Sequence, residues 1–403
     1  MMSTDNRNIF SGYRRTKGAP GVRNSVIVLP TIGCANEMAH RIAKAVPLSI
    51  PMLHNHACIR AGKDALRARL TLEGIGANPN VHSALIVGIG CEPVKAADLA
   101  ATIREQGKDV RYVSLDECGT YERLIEKGIS LLEELVSGSA VQRREFFPVS
   151  ELTIGIKCGG SGTVSAIASN PTVGRAADII ISHGGKAVFT ETAELIGAEH
   201  VLAKRAADSA VKERLLRMVQ DMKDEIERYG VDILGSEPTQ GNIKSGLTTL
   251  EEKSLGAIIK SGTCPLSGVL EYGHKPKNSG MYFMDGTTQA SQLMLGMTAA
   301  GAQIHLFSFG GGLPARFRGL PSYPPGIRIL PVIKILGSCD DEDEKDHFDL
   351  YAGNILKGTE SIADAGSRLY DLILDVASGK PTYTESRTDY DEMLQIYANG
   401  LLM

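Results

Sequence analysis

Short apolar runs that end in glycine or a polar cluster recur along this chain, and they limit its fold more than any other feature. Ser25-Val-Ile-Val-Leu-Pro30 leads into Thr31-Ile-Gly-Cys-Ala-Asn36, and Ala84–Ile89 leads into Gly90-Cys91-Glu92. Leu152–Ile156 is followed by Lys157-Cys-Gly-Gly-Ser161, Ala187–Phe189 by Thr190-Glu-Thr192, and Tyr282–Met284 by Asp285-Gly286. Leu306–Ser308 runs into Phe309-Gly-Gly-Gly312. Continuous apolar runs of this length suit strands covered on both faces. Helical spacing lies between them, over Ala35–Ala45, Lys63–Leu72, Lys95–Gln106 and Thr120–Val136. Strand alternating with helix means βαβ units, so the expected fold is α/β, with mostly parallel sheets flanked by helices.

At 403 residues the chain exceeds one ordinary core. Ser137–Val149 turns to small polar and charged residues and reads as a linker. The expected organisation is an N-terminal arm over 1–24, a first α/β domain over 25–140 and a second over 150–403. In the second, strands are predicted at Leu152–Ile156, Asp178–Ser182, Ala187–Thr190, Ala257–Ile259, Gly280–Met284, Gln303–Phe307 and Arg328–Ile335. One amphipathic helix is predicted from His200 to Tyr229. The acidic run Asp340–Asp346 lacks the glycine spacing of a calcium loop and reads as a solvated turn.

Composition removes several function classes. A formal charge of −4 argues against broad binding to a phosphate backbone. Met1–Arg15 has no apolar core of a secretory signal, and no run approaches the ~20 apolar residues of a membrane-spanning helix. Seven cysteines without a CxxC pair suit free thiols in a reducing cytoplasm, where the protein is expected. Neither GxGxxG after the first strand nor GxxxxGK[ST] is present, so a dinucleotide-dependent dehydrogenase fits at fold level alone.

In open α/β sheets ligands bind beyond the carboxyl ends of strands. Cys34, Cys58, Cys91 and Cys158 all fall in such contexts, and Cys58 closes His54-Asn-His-Ala-Cys58. Thiolate and imidazole suit iron or zinc, and carboxylates such as Glu92 suit iron, magnesium or manganese. Taken singly, each cysteine is explained better by buried packing, and it is the four strand-end contexts together that raise the metal reading. Thr248 or Thr249 can cap a helix whose first turn holds Glu251 and Glu252, which explains those two acids structurally. Lys253 is unfavourable near a helix start and is left as a carboxylate clamp or a base. The glycines of Lys157–Ser161 and Phe309–Gly312 could form anion nests or plain turns.

Asp178-Ile-Ile-Ile-Ser-His-Gly-Gly185, Glu191-Thr-Ala-Glu-Leu-Ile-Gly-Ala-Glu199 and Gly246-Leu-Thr-Thr-Leu-Glu-Glu-Lys-Ser-Leu-Gly256 together resemble the altronate/galactarate dehydratase family. So do Gly12-Tyr-x-Arg15 with Arg23-Asn24, Gly88-x-Gly-Cys-Glu92, Cys158-Gly-Gly-Ser161 with Asn170-Pro171, Gly241-Asn242 and Phe283-Met-Asp285. The family includes the large subunit of sulfolactate sulfo-lyase. The resemblance implies a lyase using a divalent metal, usually Fe2+, with Mg2+, Mn2+ or an iron–sulfur cluster as alternatives. It implies a separately encoded small SAF-type subunit and a homo-oligomer. On this reading a base takes the proton α to a carboxylate while the metal draws off the β group, giving a 2-keto-3-deoxy acid from an aldonate or aldarate. The alternatives are a carbon–sulfur lyase on sulfolactate and a non-catalytic member that binds an acidic ligand or partner.

The expected catalytic residues are Lys253, Glu252 and His56. Substrate contacts are expected at Arg23, Asn24, Ser161, Asn170, Asn242, Gly310 and Gly311. The metal ligands are drawn from Cys34, His54, Cys58, Cys91, Glu92 and Cys158. The chain departs from the family pattern at Gly162, where the dehydratases carry Asp, and at Ser308-Phe-Gly-Gly-Gly312, which replaces Thr-Gly-Arg-Gly. Further departures fall at Ala57, at Gly337-Ser-Cys-Asp340 and at Asp346-His-Phe-Asp349. They point to a substrate other than altronate or galactarate, or to lost activity.

Overall fold

A computed structural model describes residues 8–56, 60, 62–230, 237–311, 326–338, 342–386 and 393–398. The chain opens with β1 (Ile9–Gly12), β2 (Ser25–Pro30), α1 (Asn36–Ala45), β3 (Ser49–Pro51), α2 (Gly62–Gly76) and β4 (Val81–Gly88). It continues through α3 (Ala96–Glu105), β5 (Asp109–Ser114), α4 (Leu115–Cys118), α5 (Tyr121–Ala140) and β6 (Glu145–Pro148). Next come β7 (Thr153–Gly159), α6 (Asn170–Ser182), β8 (Lys186–Phe189), α7 (Glu199–Ala203), α8 (Ser209–Tyr229), α9 (Gln240–Lys244) and α10 (Leu250–Ile258). The remainder is β9 (Leu266–Leu270), β10 (Gly280–Met284), α11 (Ala290–Ala299), β11 (Ile304–Phe309), β12 (Val332–Leu336), β13 (Leu350–Tyr351) and α12 (Ile362–Ala377).

Two parallel sheets result, as the alternation predicts: a four-stranded one in the order β3-β2-β4-β5 and a seven-stranded one in the order β13-β12-β11-β7-β8-β10-β9. β1 and β6 form a separate antiparallel pair. Alternate residues of a strand point to opposite faces, and both faces of a parallel sheet must be covered. Val26 and Val28 therefore pack outward with Met38, Ile42 and Leu132 of α1 and α5. Ile27 and Leu29 pack inward, in one core with Val188, Met284 and Phe307 of the larger sheet and with α2, α3 and α11. The far face of the larger sheet is closed by α6, α8 and α12, through Val173, Ile180, Leu215 and Leu369.

Three expectations are corrected. Asp178–Ser182 is the last turn of α6 rather than a strand. Its isoleucines favour a strand locally, but Val173, Ala176, Ala177 and Ile180 share one buried helix face, and that packing decides. Ala257 and Ile258 close α10, and Ile259 opens the short 3-10 turn that follows, so no strand forms there. The predicted His200–Tyr229 helix is two helices, because the Asp208 carboxylate accepts the Val211 N–H at 2.8 Å and starts α8 afresh. Of the acidic run, Glu342–His347 forms a short 3-10 helix, and Asp340 and Asp341 lie outside the described residues.

Candidate active site at the edge of the larger sheet

β7 and β8 are neighbours in the middle of the seven-stranded sheet, so their carboxyl ends open side by side. β7 delivers Lys157 and Cys158. After β8 the chain passes through Glu191 at φ +95°, a left-handed conformation costly for a residue with a side chain, and enters the 3-10 turn Thr192–Leu195. That turn carries Glu194 back beside Glu191. Lys253 on α10 and Lys260 in the following turn are seven residues apart, on one helix face, and both are buried.

Lys260 Nζ lies 2.6 Å from a Glu191 carboxylate oxygen, 3.2 Å from Glu194 and 3.0 Å from Cys158 Sγ. Lys157 Nζ donates to Glu191. Lys253 Nζ donates to Glu237 and stands 3.2 Å from Glu194. Three carboxylates thus face three ammonium groups around one thiol. Burial, reinforced by the charges of Glu191 and Glu194, pushes the Cys158 thiol up to about 12. Burial alone would raise Glu194, but Lys260, Lys253 and Lys157 outweigh it and hold the carboxyl far below the ordinary range. Burial also opposes the charge on Lys253 and Lys260, yet the anions beside them raise both.

Cys158 Sγ and one oxygen each of Glu191 and Glu194 lie within 4.8 Å of one another, in a buried triad that could hold a metal ion. One soft sulfur with two carboxylates suits iron or zinc better than calcium. The Lys260 ammonium already sits against all three donors, so the donor space selects for positive charge, and a dication there requires Lys260 to move aside.

Ser161 Oγ is 3.9 Å from Cys158 Sγ, and its carbonyl accepts from Asn242 Nδ2 at 2.8 Å. Asn242 also completes the capping box of α9 with Thr239. Asn170 donates to the Gly256 carbonyl at 2.9 Å and accepts from Ser308 Oγ at 2.7 Å. Both asparagines are therefore taken up in tying loops together. A side chain at Gly310 would meet the Gly160 carbonyl at 2.5 Å, so the two glycine loops pack backbone on backbone, and Gly311 directly follows that contact. Gly162 abuts Ser245, where a Cβ would come within 2.8 Å. The aspartate of the family pattern has no room there in this arrangement.

The other sequence-predicted residues lie elsewhere. Glu92 is buried at the end of β4 and accepts from the Gly90 N–H at 2.7 Å, the Thr31 hydroxyl at 3.1 Å and the Ile89 N–H. His54 Nε2 contacts the Pro30 carbonyl at 2.7 Å, and Nδ1 accepts from the His56 N–H at 3.2 Å. Burial lowers both imidazoles to about 4, so they are neutral. Cys34 and Cys91 are exposed, and Cys58 lies outside the described residues. Among the described residues no group of three metal donors includes Cys34, His54, Cys91 or Glu92. The expectation that these donors converge with Cys158 is corrected: Cys91 and Cys158 end strands of different sheets. Arg23 forms a two-pronged bond to Glu385 at 2.7 and 2.9 Å, and Asn24 bridges Arg15 and the Ser139 carbonyl, both at the opposite, amino end of β2. Glu252 is half-buried, and its carboxylate accepts from the Thr248 N–H and hydroxyl. Sequence reasoning assigned no role to Lys157, Glu191, Glu194, Glu237 or Lys260. The Glu191-x-x-Glu194 spacing after a strand was the available signal for the acids.

A parallel α/β scaffold with a thiol, acids and lysines buried at its carboxyl edge defines an enzyme of the lyase class once its relatives are considered. The chain belongs to the D-galactarate/altronate dehydratase family: residues 149–400 match the C-terminal domain of D-galactarate/altronate dehydratase, and residues 12–140 match the second domain of D-galactarate dehydratase/altronate hydrolase. It is 35% identical to the (2R)-sulfolactate sulfo-lyase subunit beta of Chromohalobacter salexigens, over 94% of each chain. It is 32% identical to the altronate dehydratase of Escherichia coli, over 97% of this chain and 78% of that one. With the altronate dehydratase of Bacillus subtilis the identity is 30%, over 100% of this chain and 80% of the other. No described helix is long and apolar enough to cross a membrane.

Proposed function

We propose that this chain is the metal-dependent catalytic part of a lyase that removes a group from the carbon β to a carboxylate of a 2-hydroxy acid, leaving a 2-keto acid. The observation that carries this is the buried cluster of Cys158, Glu191 and Glu194 among Lys157, Lys253 and Lys260. A dication held by the triad, Fe2+ on this reading, would polarise the substrate's carboxylate and hydroxyl. Lys253, kept as an ammonium by its acids, serves as a carboxylate clamp rather than a base. Glu237, whose proton affinity burial raises, is the group suited to take the α proton. The β group leaves with its electron pair, and the enol formed is protonated on the β carbon to give the ketone.

An aldonate or aldarate would yield a 2-keto-3-deoxy acid with loss of water. A second reading, loss of sulfite from sulfolactate, is favoured by the even coverage of the sulfo-lyase subunit, where the dehydratases match over less of their own length. The name of that relative also supports a separate small partner subunit, on our reading of the SAF type. The test supplies Fe2+ anaerobically to the chain with its partner and offers altronate, galactarate and sulfolactate, with 2-keto acid and sulfite as readouts. Keto acid with sulfite selects the second reading, and keto acid alone the first. Absence of both product and bound metal would sink the proposal.

A further inference from the structure

A cavity of about 330 Å³ lies at the end of the molecule opposite Cys158. Its walls come from segments where strands begin: Thr153 opens β7, Lys186 opens β8, and Lys108 directly precedes β5. Lys17, Lys108, Lys186 and Lys275 line it, and no aspartate or glutamate does. Lys108 is 7% exposed. Its Nζ donates to two backbone carbonyls, Asn78 at 2.7 Å and Val81 at 2.5 Å, and to no carboxylate. The adjacent Asp109 is turned to Arg111. Lys275 Nζ donates to Gln106 at 2.7 Å and Lys17 Nζ to the Glu105 carbonyl at 3.0 Å. An ammonium has three N–H donors, so one on Lys108, two each on Lys17 and Lys275 and all three on Lys186 have no protein acceptor among the described residues.

A buried cation without a counter-charge is costly, and proteins ordinarily place an anion beside one. Burial holds the proton affinity of Lys108 well below that of an ordinary lysine, and the charges of Arg15 and Lys275 lower it further, so an anion beside it would relieve that burden. Carbonyls at the ends of α2 and α3 account for part of the hydrogen bonding but supply no full negative charge.

We propose that the cavity bounded by Lys17, Lys108, Lys186 and Lys275 is a second, non-catalytic site for a small multiply charged oxyanion of the phosphate class. An anion there would link chain segments of both sheets, steadying the interior they share. The site stands apart from the elimination chemistry, so either reading can fail alone.

The probe is inorganic phosphate, titrated calorimetrically into the full chain against chloride at equal ionic strength. Saturable binding near one equivalent is expected, with a rise in melting temperature that chloride does not reproduce. Lys275→Met and Lys186→Met, at accessible positions, should each weaken binding at least about tenfold, the loss of one charge-assisted hydrogen bond. Lys108→Met should abolish it, while basal turnover stays unchanged in all three variants. No saturable phosphate heat in the wild-type chain, or unchanged affinity in Lys186→Met and Lys275→Met, would overturn the proposal.

Discussion

The two sheets present similar carboxyl edges in sequence and opposite ones in chemistry. At the four-stranded edge Thr31, His54 and Glu92 are buried, and their polar atoms are spent on backbone N–H groups, carbonyls and one another. At the seven-stranded edge Lys157, Lys260, Glu191 and Glu194 are just as buried, but they meet as full charges around a thiol. Satisfied dipoles hold a loop, whereas opposed ions in a dry site can exchange partners with an incoming cation or anion. Burial of polar residues does not separate the two edges; the gathering of opposed full charges does.

The largest effect that could break this contrast is on turnover. Cys158→Ala or Glu191→Gln should lower the rate of 2-keto acid formation by about 10²–10⁴-fold, the range for removing a group that acts directly on the reacting atoms. Both should lower bound iron measured by elemental analysis. His54→Gln and Glu92→Gln should keep turnover within a few-fold of the parent. Equal losses at both edges would erase the distinction.

Stability comes next. Glu194→Ala leaves Lys253 and Lys260 short of a partner, and breaking such a buried network costs about 3–5 kcal/mol. Removing both partners together, as in Glu194→Met with Lys260→Met, should cost less than the sum of the single changes. Urea unfolding of the four chains measures the coupling. An additive result would mean that the charges act independently.

How far the edges were legible in the sequence follows from the same difference. Most of the longer strands, their burial and their glycine-rich ends were readable, since apolar periodicity reports local geometry, whereas short β3, β9 and β13 were not. Asp178–Ser182 was misjudged because its β-branched run carries a strand preference that packing of α6 reverses. Cys158 was selected by its strand-end context, and Lys253 by being a poor cap. Lys260 and Glu237 were invisible: they reach the site only because α10 and its neighbours fold across β7 and β8, a long-range fact that no local pattern encodes. His54 and Glu92 were overvalued for the converse reason. Their residue types suit a metal, but a sequence does not show that their lone pairs are already taken.

Acid sharpens the comparison from the side of the smaller sheet. His54 and His56 sit near 4 when folded, against an ordinary 6.5, because burial disfavours the imidazolium. The unfolded chain binds more protons, so their contribution is complete above about 6.5 and is lost as the pH falls toward 4. Urea midpoints should drop across that window, and His54→Gln should flatten the slope. A slope unchanged in that variant would place the acid sensitivity elsewhere. In alkylation the order reverses. Exposed Cys34 and Cys91 should label readily near neutral pH, whereas Cys158, buried and pushed to about 12, should label last by peptide mass mapping.

The smallest effect separates two adjacent residues. Glu252 and Lys253 share the first turn of α10, yet one bonds back to Thr248 and the other faces the charged site. Thr249 accepts the Glu252 N–H at 3.1 Å, so Thr249→Ala should cost about 1 kcal/mol in urea unfolding, the usual penalty for a lost N-cap. Its effect on turnover should be slight, because α10 remains anchored by buried Ser254, Ala257 and Ile258. Lys253→Met should do the opposite, sparing the cap while raising KM for an anionic substrate more than it lowers kcat. A cap variant that crippled turnover as Lys253→Met does would show that the start of α10 is itself part of the catalytic geometry.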